Sequence, residues 1–216
     1  MLRAFTRDDL PPLPEGWRAG PPDFVAVGCG RAGPGWWGEL LREHPQIQNN
    51  RLGSKELYYF QHFGWNGPND DQVALYREAF AAPPGSICGD GSFNYLTHPI
   101  AIQHLWRAAP ETRLIALVRN PVDRFISTYD RFNRVRMGFL GLEGDRAYVQ
   151  RIYSFWCEAV THCKIPDGVR AVQRRWDRSA VLVLQYEKCV ADPAGELART
   201  LRFLEVDDTV IPTDLT

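Results

Sequence analysis

Residues 24–36 read FVAVGCGRAGPGW, a short apolar run that passes directly into a glycine-rich stretch. The run has the composition of a buried β-strand, and Trp37, Leu40 and Leu41 beyond it have helical spacing. Glycines between a strand and a helix let the backbone turn tightly and bring N–H groups close to an anion, and Arg31 adds a permanent cation. The stretch therefore predicts a strand, an anion-binding loop and a helix. A tight turn without a ligand is the alternative.

A second candidate anion site occupies residues 119–127, RNPVDRFIS. It follows residues 113–118, the clearest strand in the chain, so Arg119 comes at a strand end, where α/β proteins bind ligands. The proline starts a helix, and Ser127, about two turns along it, can face the same crevice. Two such sites at strand ends predict one ligand with a phosphate-type group at each end.

Strand-like and helix-like segments alternate along the chain, which predicts an α/β fold with a central parallel β-sheet flanked by helices. No repeat, low-complexity tract or linker divides the sequence, so we predict a single domain over residues 1–216, with residues 1–22 as an N-terminal extension. The predicted strands are 24–28, 86–89, 113–118 and 180–185, and the predicted helices are 36–43, 70–80, 99–108, 121 onward, 145–163 and 193–204.

Composition argues against several classes of partner. The net charge is −1, so no global field attracts nucleic acid or an acidic membrane. The five cysteines have no paired C-x-x-C spacing, which favours free thiols in a reducing compartment, and their spacing matches no zinc pattern. No run resembles a signal peptide or a membrane span. We therefore expect a cytoplasmic protein without a metal, bacterial by its arginine-rich composition, with its oligomeric state open.

Residues 55–60, KELYYF, form a third candidate element. A carboxylate at Glu56, beside Lys55 and followed by three aromatic residues, suits a general base in a partly dry pocket. Taken alone, the segment is more typical of a surface ion pair beside core aromatics. Its assignment therefore depends on the neighbouring motifs.

These segments, in this order, resemble the PAPS-dependent sulfotransferases, especially the branch with the heparan sulfate sulfotransferases and related bacterial enzymes. The resemblance covers residues from about 24 to 205. The matching segments are 31–35 with the phosphosulfate loop G-x-x-[KR]-x-G-T-[TS], 44–47 with H-P-x-[IV], 55–60 with K-E-x-x-[FY]-F, 89–96 with G-E-K-[ST]-P-x-Y-[LF], 119–127 with R-[ND]-P-x-x-R-x-x-S, and 183–193 with a late strand and Y-E-x-x-x-x-D-P.

The resemblance implies a three-layer, P-loop-NTPase-like fold. It also implies transfer of a sulfuryl group from PAPS (3′-phosphoadenosine 5′-phosphosulfate) to a hydroxyl or amine of a small-molecule or carbohydrate acceptor. Glu56 is implied to be the general base, with Arg31 and Lys55 as further catalytic residues, while Arg119 and Ser127 hold the 3′-phosphate. The residues implied to bind the 5′ end are Arg31, Ala32, Gly33, Pro34, Gly35 and Trp36, and those implied to bind the acceptor are Lys55, Asp90, Ser92 and Tyr95.

The sequence departs from the family pattern in three places. Pro34 and Gly35 stand where the loop has hydroxyl residues, and the proline also lacks an N–H, so more of the leaving-group charge falls to Arg31. Gly91 stands at the place of a lysine, whose role is vacant or filled by Lys55. The sequence stops where the family adds a K-G-R-type loop over the cofactor, so that loop is expected to be missing or the sequence truncated.

Two other functions stay open at this stage. The first is a nucleotide-dependent kinase on the same architecture, although the glycine-rich loop lacks the lysine and hydroxyl of the G-x-x-x-x-G-K-[ST] pattern. The second is a non-catalytic relative that binds a nucleotide or a partner, which the departures at Pro34 and Gly91 allow. Magnesium-dependent ATP turnover would favour the kinase.

Overall fold

The structure is a computed structural model in which residues 4–131 and 165–215 are described. Among these residues, no helix is long and apolar enough to cross a membrane. The strands are β1 (Arg18–Gly20), β2 (Phe24–Gly28), β3 (Ile47–Gln48), β4 (Phe80–Ala82), β5 (Ile87–Asp90), β6 (Arg113–Val118) and β7 (Val181–Gln185). The helices are α1 (Pro34–Arg42), α2 (Asp70–Glu78), α3 (Pro99–Ala108), α4 (Pro121–Arg131), α5 (Ile165–Gln173), α6 (Tyr186–Ala191) and α7 (Pro193–Leu204).

Five strands form one parallel sheet in the order β3-β5-β2-β6-β7, while β1 and β4 pair antiparallel in a separate small sheet. In the register of the parallel sheet, Phe24 of β2 pairs with Gly89 on one side and with Arg113 on the other. The chain leaves β2 toward one edge of the sheet and later returns on its other side. The carboxyl end of β2 is therefore a point where the strand order switches, which is where open α/β sheets bind ligands. The predicted parallel sheet flanked by helices is confirmed.

The predicted elements differ from the observed ones mainly at their ends. β2, β6, α3 and α7 have the predicted bounds. α1 begins two residues early, at Pro34, because a proline in the first helical turn lacks only an N–H that the helix does not use. α2 stops at Glu78 because Phe80 begins β4, β5 lies one residue later than predicted, and β7 begins one residue later. The helix predicted over 145–163 lies outside the described residues.

The core between the sheet and α1 fixes where the glycine-rich loop lies. Trp37, Leu40 and Leu41 are buried, as their helical spacing predicts. The Trp37 indole N–H also donates to Thr200 Oγ1 of α7 at 3.3 Å. Since β2 is buried and α1 is held in the core and bonded to α7 through Trp37, the loop between them has fixed ends.

Candidate active site

The glycine-rich loop joins the carboxyl end of β2 to the first turn of α1. Gly33 caps that helix with a φ of 80°, a left-handed conformation that glycine adopts without strain. A Cβ on Gly33 would also lie 2.9 Å from two ring carbons of Tyr186, so the position has no room for a side chain. Arg31 takes a left-handed φ of 67° as well, which directs its side chain from a tight turn. The sequence therefore builds a compact loop that ends at a helix N-terminus, a natural place for an anion.

The two predicted anion motifs meet directly in the structure. The Arg31 guanidinium donates to Ser127 Oγ through Nε at 3.1 Å and through Nη2 at 2.7 Å. Arg119 donates from Nη1 to the backbone oxygen of Arg31 at 3.2 Å. The resemblance implied that Arg31 and Ser127 hold opposite ends of a ligand, whereas here the Arg31 side chain lies with the residues of the second motif.

Tyr186 lies between the two motifs, at a position to which no sequence motif assigns a role. Its ring lies under the Arg119 guanidinium, with Cζ 4.4 Å from the ring centroid, and against Gly33 on the loop. The Trp36 ring packs edge-on against the Tyr186 ring, with the ring centroids 6.4 Å apart. Arg119 Nε is buried and has no hydrogen-bond partner among the described residues. A buried charged donor without an acceptor is costly, so this nitrogen marks a place where a ligand anion would be stabilised.

Arg124 is the second arginine of the 119–127 motif, and the motif alone assigned it no contact. Its side chain is buried in α4 beside Cys29, at the start of the loop. Burial raises the pKa of the Cys29 thiol to about 11, and the neighbouring Arg124 opposes that rise. The thiol therefore stays protonated at neutral pH, and Arg124 packs the second motif against the base of the first.

Lys55 and Glu56 lie beside the α1 end of the loop. A Cβ built on Gly35 would lie 3.6 Å from Lys55 Nζ, so the ammonium rests over the loop. The Glu56 carboxylate accepts a hydrogen bond from the Tyr58 hydroxyl at 2.8 Å. Lys55 and Glu56 share a cavity of about 50 Å³ with Pro34 of the loop. The structure thus brings the predicted catalytic segment and the glycine-rich loop together.

Asp90, Ser92 and Tyr95 lie behind this segment, fully buried, and not on an open surface as acceptor-binding residues would. Ser92 Oγ accepts from the backbone N–H groups of Leu57 at 3.2 Å and Tyr58 at 2.8 Å, and donates to Asp90 at 2.5 Å. The Tyr95 hydroxyl accepts from the backbone N–H of Phe60 at 3.3 Å. Their burial corrects the expectation of direct acceptor contact, because these side chains hold the backbone that follows Glu56.

Gly91 explains why the family lysine has no counterpart here. A Cβ at this position would lie 2.5 Å from the Lys55 carbonyl oxygen, so the backbone of the catalytic segment occupies the space of a side chain. Gly91→Ala is expected to lower the free energy of unfolding by about 1–3 kcal/mol, as overpacking does. It should also lower turnover about tenfold or more, since displacing a catalytic group by 1 Å can cost about 10²-fold.

Urea unfolding and initial rates test this prediction, with Gly64→Ala as the matched control because a Cβ there has nothing within 4 Å. If the two alanine variants behave alike, the close approach at Gly91 does not hold the segment in place.

Asp90 gives the fold a specific pH dependence. Burial raises the pKa of its carboxyl to about 6, against hydrogen bonds from Ser92, Tyr76 and Leu57 that lower it. The folded state therefore binds this proton more tightly than the unfolded chain, so stability from this group is greatest below about pH 4 and is lost as the pH rises through 6. The loss is about 3 kcal/mol by the usual conversion.

Urea unfolding from pH 4.5 to 7.5 measures this loss of stability as the difference in the free energy of unfolding between the wild type and Asp90→Asn. The wild type should lose stability relative to the variant as the pH rises, whereas the exposed Asp8→Asn should run parallel to the wild type. A constant difference between the wild type and Asp90→Asn would contradict the assignment.

Comparison with known proteins identifies the family. The profile of the family described as "Sulfotransferase domain" matches residues 21–213. Heparan sulfate glucosamine 3-O-sulfotransferase 6 of Homo sapiens is 30% identical over 189 residues, which cover 85% of this chain and 52% of the relative. The membrane-associated sulfotransferase kil1 of Dictyostelium discoideum is 28% identical over 109 residues, which cover 50% of this chain and 22% of the relative. The chain thus spans about half the length or less of these two relatives.

Solved structures agree on the fold. A sulfotransferase from Alicyclobacillus acidocaldarius has a TM-score of 0.68 at 22% identity and covers 90% of this chain and 85% of its own. The mouse sulfotransferase SULT7A1, complexed with PAP, has a TM-score of 0.55 at 18% identity over 90% of this chain and 62% of its own. These likenesses confirm the three-layer, P-loop-NTPase-like fold.

Proposed function

The chain belongs to the sulfotransferase domain family, and on that premise we propose that it is an enzyme that transfers a sulfuryl group from PAPS to a hydroxyl or amine. One observation carries the proposal. The Arg31–Ser127–Arg119 cluster includes a residue of the glycine-rich loop, the Lys55 ammonium lies beside Gly35 of the same loop, and Glu56 lines a cavity with Pro34. Binding groups for a ligand with two anionic ends and a carboxylate base therefore border the same loop.

The residues of the site fit the donor. Arg119 and Ser127 would hold the 3′-phosphate, and the buried Arg119 Nε, which has no hydrogen-bond partner in the described part of the chain, supplies a charged donor for it. The loop from Arg31 to Trp36 would hold the 5′ end at the N-terminus of α1, where backbone N–H groups favour an anion. PAPS supplies the sulfuryl group on a phosphosulfate anhydride. A complex of mouse SULT7A1 with PAP on the same fold adds support for this type of donor.

Glu56 is the proposed general base. Its carboxylate accepts the proton that the acceptor oxygen or nitrogen loses as its bond to sulfur forms. The Tyr58 hydroxyl, 2.8 Å away, orients the carboxylate without taking its negative charge. Lys55 lies over Gly35 and stabilises the negative charge that develops on the departing phosphate oxygen. General base catalysis of this kind contributes about 10²–10⁴-fold in rate.

The acceptor is a small molecule or a carbohydrate in this proposal. The names of the sequence relatives support a carbohydrate, since several are heparan sulfate glucosamine sulfotransferases. The aromatic pair of Tyr58 and Phe93, with ring centroids 5.7 Å apart, adds an apolar surface next to Glu56. A single domain over the whole sequence and a bacterial, cytoplasmic setting stay predictions.

Transfer of radiolabelled sulfate from PAPS to a panel of carbohydrate and small-molecule acceptors tests the proposal. Labelled product should form together with an equal amount of adenosine 3′,5′-bisphosphate. Magnesium-dependent turnover of ATP without any labelled product would instead favour the kinase.

A further inference from the structure

We infer that Glu39 is a positioning residue that holds the Lys55 ammonium over the glycine-rich loop. The effect of Glu39 on catalysis rests on the proposed function, whereas the contact between Glu39 and Lys55 does not depend on any reaction. Lys55 Nζ donates to one Glu39 carboxylate oxygen at 2.5 Å, and Arg42 Nη2 pairs with the other at 2.5 Å. Each oxygen of the Glu39 carboxylate therefore contacts one cation.

The place of Glu39 in α1 fixes the direction of this contact. Gly35 and Glu39 are four residues apart in one helix, so they lie on the same face, one turn apart. Within 4 Å of a Cβ built on Gly35, the only non-neighbouring side-chain atoms among the described residues are Nζ and Cε of Lys55. The ammonium therefore lies beside the first turn of the helix, in contact with the Glu39 carboxylate and next to Gly35 at the end of the loop.

The Lys55 ammonium supplies hydrogen-bond donors that the sequence of the loop lacks. Pro34 lacks an N–H and Gly35 lacks a hydroxyl, so the loop presents fewer donors at the α1 end. The Arg31 guanidinium is directed to Ser127, away from this end. An ammonium has three N–H donors, so one on Glu39 leaves others for the departing phosphate oxygen or the sulfuryl group.

Glu39 acts through orientation and adds little stability. Its hydrogen bond with Lys55 lowers the pKa of Glu39, so the carboxylate is ionised at neutral pH. The pair is partly exposed, and exposed ion pairs stabilise a fold by about 1 kcal/mol or less. A lysine side chain has several rotatable bonds, however, and an unheld ammonium would spend little time over Gly35.

Acetylation by acetic anhydride tests the contact without any assay of activity. The chain has three lysines, Lys55, Lys164 and Lys188, so mass spectrometry can follow each one separately. Glu39→Gln should raise the acetylation rate of Lys55 about two- to fivefold, the equivalent of an exposed ion pair, and leave Lys188 unchanged. Glu43→Gln makes the same chemical change on an exposed residue that follows α1 and should have no effect. An unchanged Lys55 rate in Glu39→Gln would overturn the inference.

Turnover of PAPS then tests the consequence. Glu39→Gln should lower kcat about tenfold, within the range of coupling between contacting residues, with the affinity for adenosine 3′,5′-bisphosphate unchanged. In a Lys55→Met background the same substitution should have no further effect. An equal loss in both backgrounds would show that Glu39 does not act through Lys55. If the wild type transfers no sulfate, the proposed function fails while the acetylation result still decides the contact.

Discussion

Glu56→Gln is expected to lower the rate of sulfuryl transfer by about 10²–10⁴-fold, the usual contribution of a positioned general base. Glutamine has the same shape, and its amide oxygen can still accept the hydrogen bond of the Tyr58 hydroxyl. The substitution therefore removes the proton acceptor and keeps the local packing. Initial rates with PAPS and one active acceptor measure the loss, and calorimetry with adenosine 3′,5′-bisphosphate shows whether nucleotide binding is kept.

Glu43→Gln is the matched control, because Glu43 is exposed and lies outside the cavity that Lys55 and Glu56 line. Its turnover should equal that of the wild type. Tyr58→Phe should give an intermediate loss, since it frees the carboxylate to rotate without neutralising it. Turnover near the wild-type rate in Glu56→Gln would remove Glu56 as the base and leave the acceptor proton to another group.

Arg119→Ala is expected to weaken the binding of adenosine 3′,5′-bisphosphate about 100-fold or more. Hydrogen bonds to charged groups contribute about 1.5–3 kcal/mol each, and two of them correspond to that change in affinity. The guanidinium is held in place by stacking on Tyr186 and by its bond to the Arg31 backbone, so it loses little freedom when it binds a phosphate. Adenosine 5′-phosphate lacks the 3′ group and should lose much less affinity in the variant.

Arg113→Ala serves as the control, because Arg113 begins β6, at the opposite end of the strand from Arg119, and pairs with Glu205. Both ligands should bind this variant as they bind the wild type. If Arg119→Ala weakens the two nucleotides equally, Arg119 does not distinguish the 3′-phosphate, and its assigned role is wrong.

The positions of Arg119 and Ser127 were predictable because the strand before Arg119 and the helix that carries Ser127 were predictable. A run of Leu, Ile and Val marks β6, a proline marks the start of α4, and parallel strands end at one edge of the sheet. The position of Arg31 after β2 was predictable in the same way, but the direction of its side chain was not. That direction depends on a left-handed turn in the loop, which the residue type alone does not predict.

The support beneath Glu56 could not be predicted from local patterns. Asp90 and Ser92 are polar, and a polar pair after a strand usually lies on a surface. Their burial results from Tyr76 and the backbone of residues 57–58, which approach from distant parts of the chain. From the sequence, Gly91 is a missing lysine, whereas in the structure the Lys55 carbonyl oxygen lies where the side chain would begin.

The central claim is that the two motifs and the loop form one site for a nucleotide with phosphate groups at both ends. Isothermal titration calorimetry with adenosine 3′,5′-bisphosphate tests it most directly, because it needs no acceptor and no turnover. The wild-type protein should bind one equivalent with a dissociation constant in the micromolar range, and adenosine 5′-phosphate should bind more weakly. No detectable binding at millimolar bisphosphate would contradict the assignment of the site.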